Sequence, residues 1–208
     1  MEYSKEFKAA ISNFSSLEKD RLIFRLLKKD ILLSKKLYFE LIDPETTDEK
    51  RDQMEEAIEE KLIEAKKYIR NPKFFLFHIR KISAQITEHV KITTDKFGEV
   101  SLNLLLVHEV LKQKDKLNTQ RQDHIHKLYL YLTNKIIKSL SLTKKLDEDY
   151  WMEIDEILLS LQEEITNNSI LENYWINNGL EFSWLKCENI PDHFDLVIKD
   201  IKNQGFLR

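Results

Sequence analysis

Residues 92–99 read ITTDKFGE, a polar patch between two runs of helical apolar spacing, and Gly98 within it is the first glycine of the chain. Read as a metal or phosphate loop, the patch makes the chain an enzyme candidate. Read as a turn, it makes the two flanking runs a helical hairpin. Aligning Gly98 with the sharp-turn position of a calcium loop puts Thr93, Phe97 and Leu104 at positions 1, 5 and 12, where oxygen donors are required. A phosphate loop needs Lys and a hydroxyl residue after its glycine and a strand before it, whereas Glu99 follows here and a helical stripe precedes. A turn accounts for every residue: Thr94 or Asp95 caps the next helix, Gly98 permits close approach and Phe97 folds back on the apolar stripe. As a cap alone, Asp95 is worth up to about 1 kcal/mol.

Outward from this turn the helical period is nearly continuous. Upstream, Met54, Ile58, Leu62, Ala65 and Ile69 mark one face of a long helix that Asn71-Pro72 ends, and Phe75, Ile79, Ile82, Ile86 and Val90 mark the next. Downstream come Leu104, Val107 and Leu111, then Ile125, Leu128, Leu132, Ile136 and Leu140, then Trp151, Ile154, Leu158, Leu161 and Ile165. Near the start, Ser15 and Glu18 have capping-box spacing and Asp30 caps ILLSKKLYFELI. Leu33, Leu37, Tyr38, Leu41 and Ile42 cover more than half the circumference of that helix, which predicts a central place in the core. Asn178-Gly179 is a helix stop, and Ile190-Pro191 leads into a last helix with Phe194, Val197, Ile198 and Ile201 inward.

Three glycines and three prolines in 208 residues, with a third of the side chains charged, fit an all-α chain. Short connections make successive helices antiparallel. The expected architecture is a helix bundle or a short irregular stack of helical hairpins, with about eight helices. Cys187 stands alone and forms no internal bridge, and no apolar run approaches the roughly 18 residues that span a bilayer, so a cytoplasmic protein without membrane insertion is expected.

The net charge of -3 hides an uneven distribution. Residues 71–146 carry 14 basic and 6 acidic side chains, whereas residues 147–208 carry 4 and 14. The sign change marks a boundary between a helical core domain, 1–146, and an acidic helical segment, 147–208, that holds Trp151, Trp175 and Trp184. Opposite fields favour docking of the second on the first, with the tryptophans as apolar anchors.

Candidate chemistry is sparse. His78 and His89 lie about 16 Å apart along a helix and cannot share a metal; Asp123 and His126 form the one favourable pair in DHIH. Glu56 with Glu59, and Glu153 with Glu156, could hold magnesium against a nucleotide, and these two acidic pairs resemble those of the all-α nucleotide pyrophosphohydrolases, which implies nucleotide hydrolysis as one alternative. Arg70, Lys73, Arg80 and Lys81 surround the phenylalanines of KFFLF, which suggests binding of nucleic acid or an anionic surface as another. The sequence pI near 6.1 lacks the basic excess of a dedicated nucleic-acid binder, and phenylalanines opening a striped helix are expected in the core. The reading that remains is a protein-interaction or scaffold domain without cofactor or metal, contacting a protein partner or a second copy of itself through Arg70, Lys73, Arg80, Lys81, Trp151, Trp175 and Trp184.

Overall fold

The computed structural model describes residues 3–117 and 122–207, the side chains of residues 122–124 excepted. Eleven α-helices run through these residues, with no strand among them: α1 Lys5–Ser12, α2 Ser16–Leu27, α3 Ile31–Leu41, α4 Thr47–Lys66, α5 Pro72–Thr93, α6 Lys96–Leu111, α7 Lys114–Leu117, α8 Gln122–Thr143, α9 Trp151–Thr166, α10 Ser169–Asn177 and α11 Phe194–Asn203. The fold is all-α, with short helices raising the count above eight. No described helix is long and apolar enough to cross a membrane.

Helix α6 occupies the centre and packs on α4, α5, α8 and α9. Its sequence explains the position: Val100, Leu102, Leu104, Leu106, Val107, Val110 and Leu111 surround the axis, and Ser101 and Asn103 are buried among them. A helix apolar all round has no solvent face and belongs inside. Reading only Leu104, Val107 and Leu111 understates it. The stripes of α4, α5, α8 and α9 close around it, with Ile58, Leu62, Ile79, Ile86, Leu128, Leu140, Ile154 and Leu161 all buried in one continuous core.

Chain directions follow from polar contacts at the helix ends. Lys138 pairs with Glu99 at 2.8 Å and Lys135 donates to Asn103 at 2.6 Å, which sets α8 antiparallel to α6. Lys114 pairs with Glu164 at 2.9 Å and Phe97 stacks on Tyr150 at 4.9 Å, which sets α9 parallel to α6. Local signals place the boundaries as read: Ser15 and Glu18 complete a capping box, Asp30 and Asn71 cap α3 and α5, and Gly179 takes φ +69° just after α10.

Helix α3 departs from expectation. Despite its broad apolar circumference it has no buried residue and packs chiefly on α5 and, more lightly, on α2. Leu32, Leu37 and Phe39 are half-buried, while Ile31, Leu33, Tyr38, Leu41 and Ile42 are exposed. The central helix is α6, because a helix is buried only when neighbours cover all its faces, and α3 lies at the margin of the fold.

Within α4 the two faces are sharply divided, Ile58 and Leu62 buried and Glu59 exposed. Leu62→Ala is expected to cost about 2–5 kcal/mol and Glu59→Ala less than about 0.5 kcal/mol, read as shifts in the urea unfolding midpoint.

Candidate interaction surface

The 92–99 segment is a turn with a buried ionic rivet. Thr94, rather than a glycine, takes the left-handed conformation at φ 57° that ends α5. Asp95 then caps α6, its Oδ1 accepting from the Gly98 N–H at 2.7 Å. Both carboxylate oxygens also receive Arg51 of α4, Nε at 2.7 Å from Oδ2 and Nη2 at 3.0 Å from Oδ1. Gly98 makes room for this: a Cβ there would lie 2.1 Å from Asp95 Oδ2. The Arg51 guanidinium covers the Phe97 ring at 4.7 Å. Burial pushes the Asp95 carboxyl up, but polar contacts from His89, Arg51 and the Gly98 N–H, with the Arg51 charge, outweigh it and hold the group at about 2. His89 Nε2 stands 3.7 Å from Oδ2, too long for a hydrogen bond, so Arg51 and Gly98 supply the bonds that count. With its oxygens so engaged, Asp95 is a structural clamp between α4 and the α5–α6 junction.

The acidic pairs do not converge. Glu56, Glu59, Glu153 and Glu156 are all exposed, and among the described residues no three metal-ligating side chains stand together. His78 stacks on Tyr68 at 4.5 Å and His89 is nearly buried beside Asp95. The Asp123–His126 pairing lies outside the described side chains. Cys187 is buried, and that burial, with the nearby Asp155 carboxylate, pushes its thiol far up, as befits a packing residue.

The basic and aromatic residues at the α4–α5 corner make the most distinctive surface. Phe75 and Leu76 point inward, but Phe74 and Phe77 are 55% and 51% exposed, a departure from the expectation that the phenylalanines fill the core. The helical period explains it. Phe75, Ile79, Ile82 and Ile86 occupy the inward stripe, so Phe74, Phe77 and Lys81, spaced three and four apart, fall on an outward one. Tyr68 stacks on Phe74 and His78, and Phe77 meets His78 edge-on at 5.6 Å. Around these rings stand Arg70, Lys73, Arg80 and Lys81, all exposed and none within salt-bridge distance of a described carboxylate. Lys81 lies over Phe77 at 4.5 Å and Arg80 over Tyr131 of α8 at 5.4 Å. Lys135 extends the line, its ammonium 5.7 Å from the same Tyr131 ring and drawn down to about 8 by burial and by Lys138. The signal in the sequence was the adjacency Lys-Phe-Phe-Leu-Phe, in which neighbouring positions cannot all face inward.

The tryptophans are placed differently. Trp175 and Trp184 are buried, Trp175 stacked on Phe182 at 5.9 Å and Trp184 against Phe194 at 5.4 Å, so an external partner reaches neither. Trp151 is half-buried under the Lys144 ammonium at 5.3 Å. Lys144 also pairs with Asp192 at 3.1 Å, and Ser141 donates to Asp195. Basic α8 and the acidic C-terminal segment therefore meet within one chain. No protein-family model, curated protein or solved structure matches this chain.

Proposed function

We propose that the chain is a protein-interaction module without catalytic activity, whose contact surface is the basic aromatic ridge of Tyr68, Phe74, Phe77 and His78 with Arg70, Lys73, Arg80 and Lys81. The observation that carries this reading is four cations with no described carboxylate within salt-bridge distance, around a cluster of stacked and edge-on rings of which Tyr68, Phe74 and Phe77 are exposed. Exposed aromatics and arginines at the centre of a patch are the side chains that dominate interface energetics. The unpaired cations select an acidic partner, steering its approach and fixing its orientation, while the rings supply the affinity. An acidic helix with apolar residues at three-and-four spacing matches the stripe along α5.

The test is fluorescence anisotropy with a labelled acidic amphipathic peptide of Glu and Leu turns. Binding is expected to weaken as salt rises, and to weaken at least about tenfold in Phe74→Ala/Phe77→Ala, the loss of two aromatic anchors. Both rings are exposed, so the melting temperature of that variant should stay close to the parent's. Equal binding by parent and variant would remove the ridge as the contact surface. Tighter binding of an oligo-dT strand than of the peptide would assign the ridge to single-stranded nucleic acid, which uses stacked rings and cations in the same way.

A further inference from the structure

The N-terminal layer, far from the ridge in sequence, has an unusual property. Residues 5–41 form α1 to α3 without one buried side chain. Leu41, Ile31, Ile42, Phe24 and Leu17 are 77%, 68%, 65%, 63% and 60% exposed, and Ile23, Leu26, Leu33 and Tyr38 add to them. The spacing is regular: Leu17 and Phe24 lie seven apart, and Ile31, Tyr38 and Ile42 seven and eleven, which keeps each set on one side of its helix. Helix α5 is the main support of this layer from beneath. Helices of eleven or twelve residues are marginal in water by themselves and gain their stability from covering an apolar face.

From this we infer that the outer side of α2 and α3 is a homodimer interface, on which a second copy lays its own α2 and α3 about a twofold axis. The side chains on those two sides, Leu17, Phe24, Ile31, Tyr38 and Ile42, leave on the order of 600 Å² of apolar surface uncovered, against the roughly 800 Å² of mixed polar and apolar surface that each partner contributes to a stable interface. Two such helix pairs placed face to face bring four helices together, the usual way to bury such faces. An isologous contact sets a patch against itself, so its charges must tolerate their own copy. Residues 1–42 meet that condition with 9 basic and 6 acidic side chains interleaved. The ridge, whose cations have no described carboxylate within salt-bridge distance, would repel itself. Glu18, Asp20, Asp30 and Glu40 also set the layer apart from the strongly cationic helices that lie on anionic membranes.

Light scattering coupled to gel filtration decides the matter. The full chain is expected to elute at twice 25.0 kDa at micromolar concentration. Phe24→Glu/Ile31→Glu, and separately Leu41→Lys, should return it to 25.0 kDa, with the dissociation constant raised at least about a hundredfold in the double variant by burying uncompensated charge. These positions are exposed in the single chain, so far-UV circular dichroism and core unfolding should be unchanged in both variants. A parent chain that is monomeric at about 100 times that concentration, or a dimer that survives both variants, overturns the proposal. So does a monomer that floats with phosphatidylserine-containing phosphatidylcholine vesicles, which would identify the layer as a membrane-surface contact.

Discussion

Asp95→Ala is expected to lower stability by about 3–5 kcal/mol, far more than the loss of a helix cap. The side chains of Asp95 and Arg51 are only 3% and 15% exposed, and the two share a bidentate contact. Removing one member of such a pair leaves the other charge buried and uncompensated, which is the expensive outcome. Asp48, at 2.9 Å from Arg51 but largely exposed, screens part of this and argues for the lower end of the range. Asp95→Ala/Arg51→Leu should recover much of the loss, because no orphaned guanidinium remains. The pair also sets a pH dependence. The folded carboxyl sits at about 2 against an ordinary 3.8, so its stabilisation is complete above about 4 and is lost as pH falls through about 2. That window is worth roughly 2 kcal/mol and should vanish in Asp95→Ala. Urea unfolding at pH 7, 4 and 2.5 measures both effects. A loss near 1 kcal/mol with the acid dependence intact would mean that the cap is all Asp95 contributes.

Trp175→Ala should cost about 3–5 kcal/mol, the range for emptying a fully buried aromatic site. Trp175 sits in α10, which packs on α9, and stacks on Phe182 beyond the helix end, so its ring joins the acidic segment's helices to its irregular stretch. Raised salt should act much more weakly. Lys114–Glu164 is part-buried and Lys144–Asp192 and Lys145–Asp195 are open to solvent, and such contacts contribute about 0–1 kcal/mol each. Urea unfolding with hydrogen exchange at the α10 amides separates the contributions. Faster exchange confined to α9–α11 is expected, and an unchanged midpoint in the variant would count against the ring as the anchor.

Much of this fold is written along the chain. The stripes Ile58–Leu62–Ala65, Phe75–Ile79–Ile82–Ile86, Ile125–Leu128–Leu132–Ile136–Leu140 and Ile154–Leu158–Leu161–Ile165 are buried as their spacing implies. The caps Ser15 and Asp30 act where the sequence puts them, and of Thr94 and Asp95, between which the sequence left the cap of α6 open, Asp95 takes the role. Both signals are local: a helical period and a side chain reaching its own backbone three residues on need no knowledge of the rest of the molecule. The candidate surface was half legible. Arg70, Lys73, Arg80 and Lys81 could be named, but whether Phe74 and Phe77 joined them or the core depended on which of two interleaved stripes the neighbours covered.

By itself, the sequence determined the helical class, several of the helix boundaries and most of the inward faces, since these follow from periodicity and capping within one turn of each residue. Tertiary structure alone decided that α6 is central and α3 marginal, although both are apolar over most of their circumference. It also made Asp95 the partner of Arg51, forty-four residues away. The physical reason is the same in each case. A side chain's burial and a charge's worth depend on what long-range packing places against them, and one-dimensional spacing carries no record of which element arrives there.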